Sequence, residues 1–303
     1  MEANAQIQDQ DLDGQPSRIM RSQAPSAVLN TTSRASATKS SLAQEDHLRC
    51  CVRFCCLPRH AREAAMSAER PTILATSMGF NRARDPWRPS PIFRYAFNLA
   101  GSPTYPRLCF LTTGTGDRQT SIDRFYAAFA DSGVKASHLA LFEKPNIKNV
   151  SIYLHEQDVI WVDRGSLANL LTVWRAHDFD KIMRGCWQNG VVLGGESAGS
   201  LCWHAGGTTD SFGDVQPFTN GLGFLPYSNA VHYDERREYF QRCITSGVLP
   251  DGYATDAGAG LHYEDSDLVA AIADRKRAGA YRITRRSTEG GVREEPLEVR
   301  YLT

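Results

Sequence analysis

From residue 71 onward the chain alternates short apolar runs with amphipathic segments, and that alternation admits few folds. Residues 72–75, 107–112, 137–142, 159–162 and 191–194 are short and largely apolar, the signature of strands buried on both faces. Helical periods lie between them. Ile122, Phe125, Tyr126 and Phe129 recur at i, i+3, i+4 and i+7. Leu167, Leu170, Leu171 and Trp174 do the same, as do Phe179, Ile182, Met183 and Cys186. Each set makes one apolar stripe that must pack on a sheet. The expected fold is therefore α/β: a mostly parallel sheet with helices on both faces, joined by right-handed crossovers. Ligands of such sheets bind at the carboxyl ends of the strands.

Residues 1–69 have a different character. Ser, Ala, Gln, Thr and Asp dominate the first 48 positions, with few large apolar side chains, so ordering entropy would outweigh burial there. The expected organisation is an unstructured tail over 1–69 and an α/β domain over 70–303, with Met66 an alternative translation start. Cys50, Cys51, Cys55 and Cys56 crowd together in the tail, but their spacing is not that of separated zinc-binding pairs, and free thiols are expected. The chain has 34 Lys plus Arg and 34 Asp plus Glu, which argues against a dedicated nucleic-acid or anionic-membrane binder. No apolar stretch approaches the length of a membrane span, and the first thirty residues lack a signal-peptide core. A cytoplasmic protein without metal or nucleotide cofactor is expected, and a homo-oligomer is compatible with the sequence.

The most chemically loaded segment follows the run at 191–194. Gly195-Glu-Ser-Ala-Gly199 is a G-x-S-x-G pattern. Small neighbours let the backbone turn sharply from strand to helix and lift the Ser197 hydroxyl above the sheet edge. The amide of Ala198 would be the first oxyanion donor, aided by the dipole of a helix running through Ser200-Leu-Cys-Trp-His204. A serine hydroxyl needs a base. His232 lies 35 positions downstream, after an apolar stretch and before a helix expected at 235–245. His138, His155, His177, His204 and His262 are rival bases, with His204 placed well below the turn. Asp210, 13 positions after Ser197, competes with Asp214, Asp234 and Glu264 to orient the imidazole.

Three blocks in this order, Gly-Glu-Ser-Ala-Gly-Ser-Leu-Cys-Trp, Gly-Gly-Thr-Thr-Asp-Ser-Phe-Gly and Asn-Ala-Val-His-Tyr-Asp, resemble the peptidase E family of serine aspartyl dipeptidases. The resemblance runs over about residues 71–285. It implies a class I glutamine-amidotransferase-like fold and hydrolysis of short peptides, with Ser197 as nucleophile, His232 as base and Asp210 as third member. It also implies a second oxyanion amide, at Gly165, from the loop after the strand at 159–162. Where the family keeps glycines in that loop, this chain has Asp163 and Arg164, and its first loop reads Ala75-Thr-Ser-Met-Gly-Phe80. Arg164, His262 and Glu264 are candidate substrate contacts, and Arg236 and Arg237 further candidates for a substrate carboxylate. Two alternatives stand beside a dipeptidase: a cyanophycinase-like or ester hydrolase, and a binding protein that keeps the fold with impaired catalysis. Glutamine amidotransfer would want Cys at position 197.

Overall fold

Eight strands, five of them forming a parallel core, divide the molecule into two helical layers. The computed structural model describes residues 68–287 and 290–303. Residues 1–67 of the expected tail, with its four cysteines and Met66, lie outside the described residues; Ala68 is buried, its amide donating to the Gly190 carbonyl (3.1 Å). In chain order the first half comprises β1 (Thr72–Thr76), β2 (Phe80–Asn81), β3 (Arg88–Pro89), α1 (Pro91–Leu99), β4 (Arg107–Leu111), α2 (Gln119–Phe129), β5 (Lys135–Leu139), α3 (Val150–His155), β6 (Val159–Val162), α4 (Leu167–Ala176) and α5 (Phe179–Gln188). Then follow β7 (Val192–Glu196), α6 (Ala198–Leu201), β8 (His204–Phe212), β9 (Asp214–Phe218), β10 (Leu225–Val231), α7 (Tyr233–Thr245), β11 (Gly252–Thr255), β12 (Ala259–Glu264), β13 (Asp267–Ala273), β14 (Ala280–Arg285), β15 (Val292–Pro296) and β16 (Val299–Tyr301).

The large sheet runs β16-β13-β12-β1-β7-β6-β4-β5. β1, β7, β6, β4 and β5 are mutually parallel, and all five correspond to apolar runs read from the sequence. β1, β6 and β7 are buried at every position, which explains their apolar sequences without alternation. One face is covered by α1 and α2, where Phe93, Phe110, Phe125 and Phe129 pack with Trp161. The other carries Trp174, Phe179, Met183 and Trp203 from α4, α5 and the chain after α6. Ser90 caps α1 by accepting from the Ile92 amide, and Ser166 caps α4 by accepting from the Asn169 amide.

A second sheet of six strands, β15-β14-β11-β10-β8-β9, was not expected from the sequence. His204 begins β8 of that sheet, because α6 stops after four residues. The expected helix through His204 is therefore corrected. One hydrogen bond ties α6 to the second sheet, and a second fixes its acceptor within that sheet. Ser200 Oγ donates to Asn229 Oδ1 (3.1 Å), and Asn229 Nδ2 donates to the Tyr253 carbonyl (3.1 Å).

The turn out of β7 tolerates no side chain where it passes β6. A Cβ on Gly199 would meet the carbonyl of Val162. Gly199→Ala is expected to destabilise the fold by about 1–3 kcal/mol through overpacking. Urea unfolding checks this, and an unchanged midpoint would show that the two segments can part freely.

Candidate active site

Ser197 sits at the first turn of this elbow with φ 58° and ψ −109°. Non-glycine residues pay for such a conformation with roughly 1–3 kcal/mol, and it persists only where surroundings over-determine it. Here the determinants are visible. The Ser197 amide donates to the Thr76 carbonyl (3.0 Å), and the carbonyl of Ser197 accepts from the Ser200 and Leu201 amides (2.9 Å each). Thr76 Oγ1 also reaches back to the Gly195 carbonyl (3.0 Å), tying the end of β1 to the end of β7. Ser197 itself is half-buried, so the elbow is not sealed under packed atoms.

His232 is the second strained residue, with φ 52° and ψ 50°, at the point where β10 passes into α7. Its backbone amide donates to Ser77 Oγ (3.2 Å), and that oxygen is also hydrogen-bonded to Thr255 Oγ1 (2.8 Å). Ser197 and His232 are thus anchored to consecutive residues, Thr76 and Ser77. The Ser200–Asn229 bond holds the same two segments together from below. The imidazole is half-buried, and burial pulls its pKa below the usual value. The Arg236 cation lowers it further, while Glu235, Glu196 and Asp234 act in the opposite sense. A neutral imidazole at neutral pH is the form that can accept a proton.

The remaining candidates divide. Ala198 is the first residue of α6, so its amide stands at the elbow. α6 has only four residues, and its dipole contributes less than the long helix expected from sequence. Gly165 lies in the loop between β6 and α4 at φ 133°, a conformation that glycine alone adopts freely. A Cβ there would strike the Gly114 carbonyl, so this glycine is required by packing as well. Arg164 is exposed beside it. Asp210, on β8, is 55% exposed at its side chain, and its carboxylate accepts from Arg236 (2.7 Å). Arg236 occupies the next turn of α7 after His232, so Asp210 reaches the base only through this guanidinium. Arg237 is engaged with Glu294 and stacks on Tyr233 and Tyr281.

His262 and Glu264 are not brought to the elbow. β12 runs antiparallel to β1, with His262 opposite Leu74 and Glu264 opposite Thr72, while the elbow is at Thr76. His262 is buried and hydrogen-bonded to the Tyr95 hydroxyl (2.9 Å), and Glu264 pairs with Arg70 (3.3 Å). Among the rival bases, His138 contacts Tyr126 and Asn146 at the far edge of the sheet, His155 closes α3 and His177 follows α4. His204 is fully buried, its Nδ1 3.0 Å from the Ser200 carbonyl and its pKa lowered to about 3 by burial.

Sequence reading missed a buried ion cluster at the same place. The Arg82 guanidinium contacts Asp163 and Glu196 (2.9 Å to the latter), with all three side chains nearly enclosed. Burial, reinforced by Glu196 and opposed by Arg82, pushes the Asp163 carboxyl up to about 6. Glu196 precedes the nucleophile candidate and was visible in the motif. Arg82 lies in an irregular segment, and no sequence period connects it to Asp163. Among the described residues, no group of three or more His, Cys, Asp or Glu is placed to hold a metal ion, and no helix is long and apolar enough to cross a membrane.

A strained serine on a glycine-lined strand-to-helix turn of a mostly parallel α/β sheet is the arrangement found in α/β serine hydrolases. The comparisons with known proteins are narrower. The model of peptidase family S51 matches residues 78–270, and the chain belongs to this serine-type peptidase family. It is 42% identical over 200 residues to a Bacillus subtilis (strain 168) protein named "Uncharacterized peptidase YgaJ", a match covering 65% of this chain and 85% of that one. The crystal structure of a peptidase from an acI-B1 Actinobacterium shares the fold, with a TM-score of 0.51 at 12% identity over 78% of this chain and 96% of the other. A Listeria monocytogenes EGD-e crystal structure named for peptidase E gives 0.46 at 16% identity, over 65% of this chain and 96% of that one.

His204 makes a pH prediction. Its folded pKa lies below the unfolded value of about 6.5, so the unfolded state binds more protons between pH 6.5 and 3, and the stability it supports is lost as pH falls through that window. His204→Leu is expected to be less stable than the parent at pH 7, with the gap narrowing toward pH 4. Urea midpoints across that range test it, and a constant gap would contradict it.

Proposed function

We propose that the protein is a serine peptidase acting on short peptides, with Ser197 as nucleophile and His232 as general base. The observation that carries this reading is the anchoring of both residues, each in a left-handed conformation, to the adjacent residues Thr76 and Ser77. Strain of this kind clusters at catalytic sites. In the proposed reaction His232 takes the Ser197 proton as Oγ attacks the scissile carbonyl. The amides of Ala198 and Gly165 receive the developing oxyanion. The imidazolium then returns its proton to the leaving amine, and a water activated by the same imidazole releases the acyl group.

Dipeptides are the favoured substrates in this reading, and an N-terminal Asp is the preference the peptidase E resemblance implies. The carboxylate of such a substrate would meet Arg164, exposed in the loop after β6, or Arg236, one turn after His232 on α7. Asp210 then serves as the ion partner of Arg236 rather than as a direct orienter of the base. Asp163 and Arg164 favour a second reading, a binding protein with impaired turnover, because they stand where the family keeps glycine.

An active-site fluorophosphonate separates the two. Labelling of the parent that maps to Ser197 and vanishes in Ser197→Ala is expected, and a folded parent that never labels would support the binding protein. His232→Ala should lower kcat by about 10³–10⁴ with folding preserved, whereas Asp210→Asn should cost less than about tenfold. Equal losses in the two would restore Asp210 to a direct role. A panel of X-Ala dipeptides against simple esters tests substrate class, and activity confined to esters would exclude the peptidase.

The His232 environment predicts an acid limb in kcat/KM below pH 6.5. Removing the Arg236 cation raises the imidazole pKa, so Arg236→Gln is expected to shift this limb to higher pH. A limb that stays in place or moves down would show that Arg236 does not act on the base.

A further inference from the structure

The strand order β1-β7-β6 leaves the elbow between two loops, one following β1 and the other following β6. Arg82 comes from the β1 side and reaches over the end of β7. Its guanidinium meets Glu196 at that end and Asp163 at the head of the loop that carries Gly165. The side chains of Arg82, Asp163 and Glu196 are 13%, 1% and 11% exposed. The guanidinium also stacks on Trp87, 4.3 Å from the ring centroid, which fixes its plane. The Glu196 carboxylate lies against Gly79, where a Cβ would displace it. Backbone bonds hold the second loop at both ends, from the Asp163 amide to the Leu111 carbonyl (2.9 Å) and from the Ser166 amide to the Gly114 carbonyl (2.8 Å). Between these ties Arg164 and Gly165 are exposed, so Asp163 is the side chain that locks the loop inward.

We propose that Arg82 is a positioning residue that sets the height of the 163–166 loop against the Ser197 elbow, so that the Gly165 amide stays aimed at the oxyanion. The proposal rests on the serine-peptidase reading, and Arg82 acts through Asp163 and Glu196 without touching substrate. Both carboxylates meet the same terminal nitrogen, Nη2, whose two N–H bonds lie in the guanidinium plane that Trp87 holds; an ammonium on a flexible stem has no such plane to be held. A glycine loop would be placed by its backbone alone. Here a buried carboxylate replaces the glycine and cannot stay without its counter-ion, so loop position and ion pair become one event.

Arg82→Lys keeps the charge and removes the planar group that stacks on Trp87. Expected is a folded protein whose kcat falls about 100-fold, the size of one lost oxyanion donor, with KM within about twofold. Fluorophosphonate labelling should slow in parallel. Hydrogen exchange at the Asp163 and Ser166 amides should quicken while β4 and β7 stay protected. Asp163→Asn preserves the shape and weakens the link, and should move exchange and kcat in the same direction by less; it serves if the Lys variant does not fold. Unchanged kcat and exchange in a folded variant, even with a lower melting temperature, would overturn the proposal and leave Arg82 a purely structural residue. If the parent shows neither turnover nor labelling but Arg82→Lys still loosens the 163–166 amides, the peptidase reading fails and the positioning role stands.

Discussion

The close passage of Gly199 beneath the Val162 carbonyl governs how this molecule can be built. Because no side chain intervenes, β7 can leave the sheet and turn at once into α6, and the turn forces Ser197 into a conformation that serine otherwise avoids. The strain is held by backbone hydrogen bonds from the neighbouring strand and from α6 itself. The elbow thus depends on contacts of atoms that every residue has, and on the absence of atoms that most residues add.

Around this turn the fold assembles partners from distant parts of the chain. The first sheet delivers the serine, the second delivers the histidine, and the Thr76-Ser77 dipeptide receives both. Two arginines flank the result. Arg82 is enclosed and faces two carboxylates, so its surroundings carry one negative charge in excess when both are ionised. Arg236 reaches outward to one half-exposed carboxylate and depresses the pKa of the imidazole. The two cations sit in different settings: one is enclosed between two carboxylates, the other lies beside the His232 imidazole.

Much of the parallel core is legible in the sequence. Strands buried on both faces are apolar at successive positions, and the stripes at 122–129, 167–174 and 179–186 become α2, α4 and α5. Ser197 announces itself through glycines that a sharp turn needs, and His232 through its place between an apolar run and a helix. The second sheet is less visible. Several of its strands are half-exposed, as β9, β14 and β15 are, and β8 carries the polar run Thr208-Thr-Asp-Ser211. The residues after Leu201 were read as helix because Leu201, Cys202 and Trp203 suit one, but pairing of β8 with β9 and β10 overrides that local preference.

The sequence by itself determined an α/β sheet, the elbow, and a serine and histidine in a workable order, because those properties reside in local periods and in small residues at fixed spacing. Only the tertiary structure decided which charged groups meet. Asp210 faces Arg236, Glu264 faces Arg70, and Asp163 shares Arg82 with Glu196, since an ion pair needs only proximity and leaves no period along the chain.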